Sequence, residues 1–322
     1  MLSKQPQKGC FDLVIQMPKQ TFYSNGKLLL TAEYTVLDGA KALALPTAFG
    51  QSLEVEANDS GSIHWKSFDA DKTVWLDVVL PVHLIKNQTF VSKNAVEQKL
   101  AEILHETYKL NPSFLESGKG FEVKTYLTFP RLWGLGTSST LINNIAQWLQ
   151  INPYKLLKNT FSGSGYDIAC ASHNTPILYQ LLNEKPMVES VQFHPNFHEH
   201  LYFVYLNKKQ NSRTAILNYK SKKFHILDII QQINQITQEI LQTKTLSDFC
   251  HLLEKHEAIM SSVLEVPTAK KLLFPDFEGN IKSLGAWGGD FILVASIENP
   301  TDYFKSKGFQ TIIPYDKMIL KQ

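Results

Sequence analysis

Pro130-Arg131-Leu132-Trp133-Gly134-Leu135-Gly136-Thr137-Ser138-Ser139 joins a strand pattern to a helix pattern through small and hydroxyl-bearing residues. Upstream, residues 121–129 alternate apolar and polar, as a half-buried strand does. Downstream, Leu141, Ile142, Ile145, Ala146, Trp148 and Leu149 recur at helical spacing. The glycines and hydroxyls therefore sit at a helix N-terminus, where the first amides have no internal partner and the dipole is positive. That arrangement suits an anion such as phosphate. Gly134 and Gly136 let the main chain come close to a ligand, and Thr137, Ser138 and Ser139 have hydroxyls to cap the helix or hold magnesium. The residues alone leave a second reading open, a tight turn closed by a Ser/Thr cap. The stretch is not a P-loop, because no Gly-Lys-Ser/Thr follows, nor is it GxGxxG after a first strand.

Composition limits what surrounds this stretch. A chain of 322 residues has room for a substantial core and two lobes. With 43% hydrophobic and 19% charged residues and a net charge of +2, it gives no reason to expect a nucleic acid or an anionic membrane as partner. Cys10, Cys170 and Cys250 are odd in number and far apart, so neither a disulfide framework nor zinc spacing is present and a reducing cytoplasm is expected. There is no apolar run of about 18 residues or more, and Met1-Leu2-Ser3-Lys4 opens no signal-peptide pattern.

On the N-terminal side, residues 11–17 and 28–30 read as strands with a turn around Ser24-Asn25-Gly26. Lys27 by itself reads as an exposed charge. Residues 43–55 and 73–79 are strand-like, with Asn58-Asp59-Ser60-Gly61 as a hairpin turn. Residues 92–110 form a helix with Ala95, Val96, Leu100, Ile103, Leu104 and Tyr108 on one face, stopped by Asn111-Pro112.

On the C-terminal side, Asn152-Pro153 opens a short helix that ends near Phe161, before the glycine-rich run Ser162-Gly163-Ser164-Gly165-Tyr166-Asp167-Ile168-Ala169-Cys170-Ala171-Ser172. An aspartate after glycines is ordinarily a turn or cap residue. His194-Pro195-Asn196-Phe197-His198-Glu199-His200 fits no zinc motif and reads as a solvated loop. Residues 201–206 form a buried strand, followed by a basic, hydroxyl-rich loop over 207–214. Two amphipathic helices cover 226–241 and 246–263, both expected on the second lobe's sheet, with His256 as a core histidine. Lys282-Ser283-Leu284-Gly285-Ala286-Trp287-Gly288-Gly289-Asp290 leads into a strand over 291–296, and 308–314 reads as a final edge strand.

Three segments together resemble one family. Pro130 to Ser139 is similar to the nucleotide-phosphate motif of the GHMP kinases. Gly26-Lys27-Leu28-Leu29-Leu30-Thr31-Ala32-Glu33-Tyr34 resembles that family's N-terminal motif, and the run ending Gly288-Gly289-Asp290 its third. The segment around Asp167 resembles the stretch carrying the catalytic aspartate of mevalonate-pathway kinases, and its Asp-Ile-Ala-Cys form looks closest to bacterial phosphomevalonate kinase, with mevalonate kinase second.

The resemblance implies an α+β fold with a ribosomal-protein-S5-like lobe over 1–180 and a ferredoxin-like lobe over 181–322. It implies ATP held by Gly134, Leu135, Gly136, Thr137, Ser138, Ser139, Gly288 and Gly289, with Ser138 on Mg2+. Asp167 and Lys27 take the catalytic places, and Glu33, Tyr34, Lys209, Ser212 and Arg213 the acceptor side. The implied partner is an acidic or hydroxylated small molecule, bound by a monomer or homodimer. Three positions depart from the pattern. Ala32 stands at a family glycine; Leu156, between Lys155 and Lys158, stands where mevalonate kinases have a magnesium-binding glutamate; Trp287 replaces a glycine. Two of these departures, Leu156 and Trp287, keep open a catalytically silent metabolite sensor on the same scaffold.

Overall fold

The structure, a computed structural model, describes residues 18–116, 119–208, 212–221, 225–285, 287 and 289–321, with the backbone alone at 212–214. The strand expected over 11–17 and the residues Cys10, Lys209 and Gly288 lie outside the described residues.

The long strand β2 (Ala42–Asn58) is the spine of a seven-stranded sheet. β1 (Gln20–Leu29) pairs antiparallel along it, with a register shift between Asn25 and Lys27. The turn expected at 24–26 is thus an irregularity inside one strand, which lets Lys27 leave the ladder without reversing the chain. β3 (Ser62–Phe68), β4 (Val74–Pro81), β5 (Gly120–Leu127), β6 (Ile177–Leu182) and β7 (Lys185–Ser190) complete the order β4-β3-β5-β2-β6-β7.

The turn at 58–61 does not close a hairpin. β5 inserts between β2 and β3, antiparallel to the first and parallel to the second. Val123 lies opposite Val55 on one side and Trp65 on the other, all buried, so the intervening strand completes an apolar row that a β2–β3 pair would leave unfilled.

After the short α1 (Val82–Lys86), α2 (Ala95–Leu110) is capped by the Asn94 side chain, which accepts from Val96 N. Leu100, Ile103 and Leu104 are buried, whereas Ala95 and Val96 at the helix start are exposed. Together with α3 (Thr137–Leu149) and α4 (Pro153–Thr160), α2 covers one face of the sheet through a core that includes Trp65, Val123, Ile142 and Leu156. α5 (Tyr166–Ala171) packs beside β1 and β6 around Ala169, Cys170 and Ile177.

The chain then passes through β8 (Leu201–Tyr205), α6 (Ser212–Ser221), α7 (Ile226–Gln242), α8 (Leu246–Leu264), α9 (Ala269–Leu273), β9 (Asn280–Ser283), β10 (Phe291–Ala295), α10 (Thr301–Ser306), β11 (Ile312–Pro314) and α11 (Tyr315–Met318). The last four strands form an antiparallel sheet in the order β11-β8-β10-β9, with β11 at one edge as expected. The first sheet ends at Ser190 and the second begins at Leu201.

α8 lies on β9, where Ser283 N donates to Glu257 Oε1 at 3.1 Å. α7 does not share that sheet's polar contacts. Asn234 Oδ1 accepts from Lys41 N at 2.6 Å and the Thr237 hydroxyl donates to Thr31 Oγ1 at 2.9 Å, so α7 is fixed to the first sheet. A single apolar cluster joins the two sheets, with Leu28, Leu43, Phe129 and Leu135 against Phe203, Leu253, Phe291 and Met318. Among the described residues no helix is long and apolar enough to cross a membrane.

Candidate active site

The glycine-rich turn is held by its backbone. Lys27 N donates to Leu135 O at 2.9 Å, and the Lys27 ammonium donates to Gly134 O at 2.8 Å, so β1 grips the turn that precedes α3. Gly134 has φ +71° and Gly136 φ +99°. At Gly134 a Cβ would meet Asp290 Cγ at 2.5 Å, so the turn before α3 and the residue leading into β10 touch there only because a side chain is absent.

Gly136 is the N-cap of α3 and no side chain caps the helix. The Ser139 hydroxyl turns back to Gly136 O at 2.9 Å, and Thr140 Oγ1 donates to Gln51 Oε1 at 2.9 Å. The capping role offered by the hydroxyls in the sequence is not taken up. First-turn amides left without a side-chain acceptor are what an anion site requires. Below the turn, Trp133 packs edge-on to Phe49 and to Phe291, each at 5.5 Å between centroids, which anchors the turn to both sheets.

Glu33 and Tyr34 follow β1 in a tight, buried segment. Ala32 has φ +66° and Tyr34 φ +62°, the left-handed region, which explains why a glycine would be at home at position 32. Ala32 N donates to His256 Nε2 at 3.0 Å, so this buried imidazole carries its proton on Nδ1. Burial, then the nearby Lys282 charge, hold the His256 pKa well below its ordinary value. It is a core histidine, as its position on the α8 face predicts.

The Lys282 ammonium, fully buried, lies 2.5 Å from Glu33 Oε1 and 3.4 Å from Glu257 Oε1 and donates to Ser283 O at 2.6 Å. Burial pushes Glu33 up to about 7 against the pull of Lys282, and burial also raises Glu257. Glu33 is thus the inner end of a charged chain from the cleft to α8. Lys282 carried no site reading in the sequence beyond opening the third motif.

Tyr34 stacks on Tyr219 of α6 at 5.5 Å, and Tyr219 Oη donates to Asp38 Oδ2 at 2.6 Å. The Tyr34 hydroxyl accepts from Trp287 N at 2.9 Å. The indole of Trp287 donates to Pro267 O at 3.1 Å and packs among apolar residues near α8 without lining the cleft. Its replacement of glycine fills space behind the site.

Asp167, in the first turn of α5, accepts from its neighbour Ile168 N at 3.0 Å. Burial raises its pKa, opposed by the Lys27 charge. Lys27 also sits 6.0 Å from the centre of the Tyr166 ring.

These elements border one cleft of about 1070 Å3. It brings together Lys27, Glu33 and Tyr34 from the first motif, Gly134, Gly136, Thr137, Ser138 and Ser139 from the second, and Asp167. Leu135 is different: its side chain is buried in the core, and its carbonyl serves Lys27. Gly289 is buried behind the cleft, and Leu156 is a core residue with no part in it.

The loop expected over 207–214 already turns helical at Ser212, so Ser212 and Arg213 begin α6, while Ile216, Leu217 and Lys220 of that helix border the cleft. Sequence reading also missed Asp290 as a site residue. Its carboxylate sits against Gly134, it borders the cleft, and its φ of +54° aims it there. The Gly-Gly-Asp ending of the third motif was the signal.

Compared with known proteins, no family model and no curated protein matches the chain. Solved structures do. Mevalonate kinase of Methanococcus jannaschii superposes with a TM-score of 0.66 over 95% of this chain and 99% of that one, at 16% identity. The fold is that of the GHMP kinases. Streptococcus pneumoniae phosphomevalonate kinase, solved with phosphomevalonate and AMPPNP, gives 0.66 over 89% and 95% at 15% identity. Lactococcus lactis galactokinase, solved with galactose, gives 0.64 over 90% and 88% at 13% identity. The GHMP kinase fold thus spans the two sheets and the cleft between them.

Proposed function

We propose that this chain is an ATP-dependent small-molecule kinase that transfers the γ-phosphoryl group to 5-phosphomevalonate. The observation that carries the kinase reading is the uncapped N-terminus of α3 opening, with Lys27 and Asp167, onto one cleft. The triphosphate lies on the turn of Gly134, Gly136, Thr137, Ser138 and Ser139, and by the resemblance Gly288 and Gly289 of the third motif belong to the same site.

The donor set fits magnesium. The Ser138 hydroxyl and the Asp167 and Asp290 carboxylates are hard oxygens around the phosphate position. Ser138 and Asp167 would hold the ion, which would supply neutralisation of phosphate charge.

An acceptor oxygen bonds to the γ-phosphorus as the bond to the β-bridging oxygen breaks, and ADP leaves. Catalysis in such a transfer is mainly positioning and charge stabilisation. Lys27, fixed by Gly134 O, holds the transferring group and the acceptor in line. A phosphate acceptor is already ionised and has no proton to lose. An alcohol would pass its proton to Asp167, whose raised pKa suits that task.

The acceptor assignment rests on Lys27 and Lys220 facing the same cleft and on the resemblance of the Asp167 segment. Phosphomevalonate is the ligand of the S. pneumoniae structure of this fold. By the resemblance, Lys209, Ser212 and Arg213 are the remaining acceptor-side candidates together with Glu33 and Tyr34. The proposed division is into lobes over 1–180 and 181–322; what supports two units is that the first sheet ends at Ser190 and the second begins at Leu201, although β6 and β7 keep residues 177–190 with the first sheet.

The test is ADP release with Mg2+ and ATP in the presence of mevalonate, 5-phosphomevalonate, homoserine or galactose, each against a blank without acceptor. Release with 5-phosphomevalonate alone is the expected result. Release with another acceptor keeps the kinase and replaces the substrate; ATP binding without release for any of the four overturns the 5-phosphomevalonate assignment and favours either an untested acceptor or a sensor.

A further inference from the structure

None of the residues of the histidine-rich run 194–200 borders the cleft. In the folded chain its first two histidines meet a carboxylate from near the C-terminal end of the sequence. His194, His198 and Asp316 each present one ligand atom within 4.8 Å of the others. Asp316 Oδ1 is 3.1 Å from His198 Nδ1 and 3.7 Å from His194 Nε2, and the two imidazole rings are 4.4 Å apart.

The arrangement is built, not incidental to one flexible side chain. His198 N donates to Pro195 O at 3.0 Å, which folds the run so that both rings face the same way. Asp316 stands in the first turn of α11, and its neighbour Tyr315 is buried with its hydroxyl donating to Phe193 O at 3.1 Å. The backbone on either side is therefore pinned. Among the described residues this is the group of three His, Cys, Asp or Glu side chains close enough to share one metal ion.

An ordinary His–Asp pair does not account for the geometry. His198 Nδ1 is shielded from solvent and makes no hydrogen bond, although a carboxylate oxygen is 3.1 Å away. A ring N–H in a hydrogen bond points along the line to its acceptor. Here that alignment is missing, as it is when the nitrogen and oxygen lone pairs converge on a third atom. Tetrahedral zinc, with ligand bonds near 2.1 Å, separates neighbouring donors by about 3.4 Å. The separations of Asp316 Oδ1 from His198 Nδ1 and His194 Nε2, 3.1 and 3.7 Å, fall on either side of that value.

We propose that His194, His198 and Asp316 form a binding site for a divalent transition-metal ion of the zinc type. Two imidazoles with one carboxylate select such an ion over magnesium or calcium, which take oxygen donors. Three protein ligands leave a fourth position to water. The ion would fasten α11 to the loop that enters β8. Thr47 of β2 bridges Ile319 just beyond α11, so the fastening reaches the spine of the first sheet.

The experiment uses the full chain without a histidine tag, stripped with chelator and then titrated with Zn2+ by calorimetry and with Co2+ by visible absorption. The expected result is one equivalent of Zn2+, Co2+ bands of a four-coordinate centre, and a Tm raised by Zn2+. His194→Gln and Asp316→Asn should each weaken Zn2+ binding by about tenfold or more and abolish the Tm rise. Both positions are partly exposed, so these variants should fold, as circular dichroism will verify; His198→Ala is the third and most disruptive change. No stoichiometric Zn2+ on the wild-type chain overturns the site. So does binding that is unchanged in His194→Gln and Asp316→Asn, which would place the ion elsewhere.

Discussion

Replacing Lys282 by Met tests the charged chain that links the first and third motifs. The ammonium is fully buried 2.5 Å from Glu33 and 3.4 Å from Glu257, both themselves buried, so the variant leaves two carboxylates without their counter-charge. Removing one partner of a buried ion pair costs about 3–5 kcal/mol. The loss must depend on pH, because Glu33 is raised from 4.5 to about 7 even with Lys282 present.

For a group raised in the folded state, stability is fully present below the unfolded pKa and is lost as pH rises through the folded one. In the wild-type chain Glu33 therefore removes about 3 kcal/mol between pH 4.5 and about 7, at 1.36 kcal/mol per unit. In the variant both carboxylates lose the charge that lowers them, so their window moves upward. At pH 8 the full 3–5 kcal/mol, roughly, should be lost. At pH 5 Glu33 is protonated in either protein, and the difference should shrink to about 1 kcal/mol or less.

His256 pushes the difference the same way. Lys282 is one cause of its lowered pKa, so the variant accepts a proton there more readily as the solution is acidified. Urea unfolding at both pH values measures the two differences, and Glu33→Gln in the Lys282→Met background should restore much of the loss at pH 8. Equal losses at pH 5 and pH 8, or none at pH 8, would refute the buried-charge account.

Three further substitutions probe the cleft. Gly134→Ala places a Cβ 2.5 Å from Asp290 Cγ at a φ of +71°, and should cost about 1–3 kcal/mol and abolish measurable ATP binding by calorimetry; wild-type values for both would show the turn to be slack. Asp167→Asn should lower kcat by about 10²–10⁴ with an alcohol acceptor, far more than it weakens ATP binding, and near-normal turnover would remove Asp167 from catalysis. With such an acceptor the wild-type rate should fall as pH drops through the Asp167 pKa, which burial sets above the ordinary carboxylate value. Trp287→Phe loses the indole bond to Pro267 O and should cost about 1 kcal/mol, with the acceptor KM unmoved because the ring does not line the cleft; a large KM change would place it in the site.

Periodicity and capping chemistry are local, and what is local could be read directly. α7 and α8 end within a residue or so of the expected spans, Asn111-Pro112 closes α2, and the glycine-rich turn is followed by its helix at Thr137. The cleft's composition was legible too, because Lys27, Glu33, Gly134, Ser138 and Asp167 each stand in a short motif whose residue types name their chemistry.

Pairing was not legible. The alternation in β2 and β3 is compatible with a hairpin, and only the arrival of β5, with Val123 between Val55 and Trp65, decides otherwise. Nor was the choice between a capped turn and an anion cradle, since the hydroxyls of Ser139 and Thr140 offer both and the fold commits them to Gly136 O and Gln51.

The same limit applies to charge. Lys282, Glu33, Glu257 and His256 come from distant parts of the chain, and a lysine in sequence carries no mark of burial until β9 and α8 enclose it. His194 and His198 read as part of a solvated loop because their carboxylate, Asp316, arrives from α11. What the sequence by itself determined is therefore the elements and the chemistry each can offer, both set by neighbours along the chain. Only the tertiary structure decided which strands pair, which ions are buried together and which donors converge, because those energies depend on contacts between residues that the chain order keeps apart.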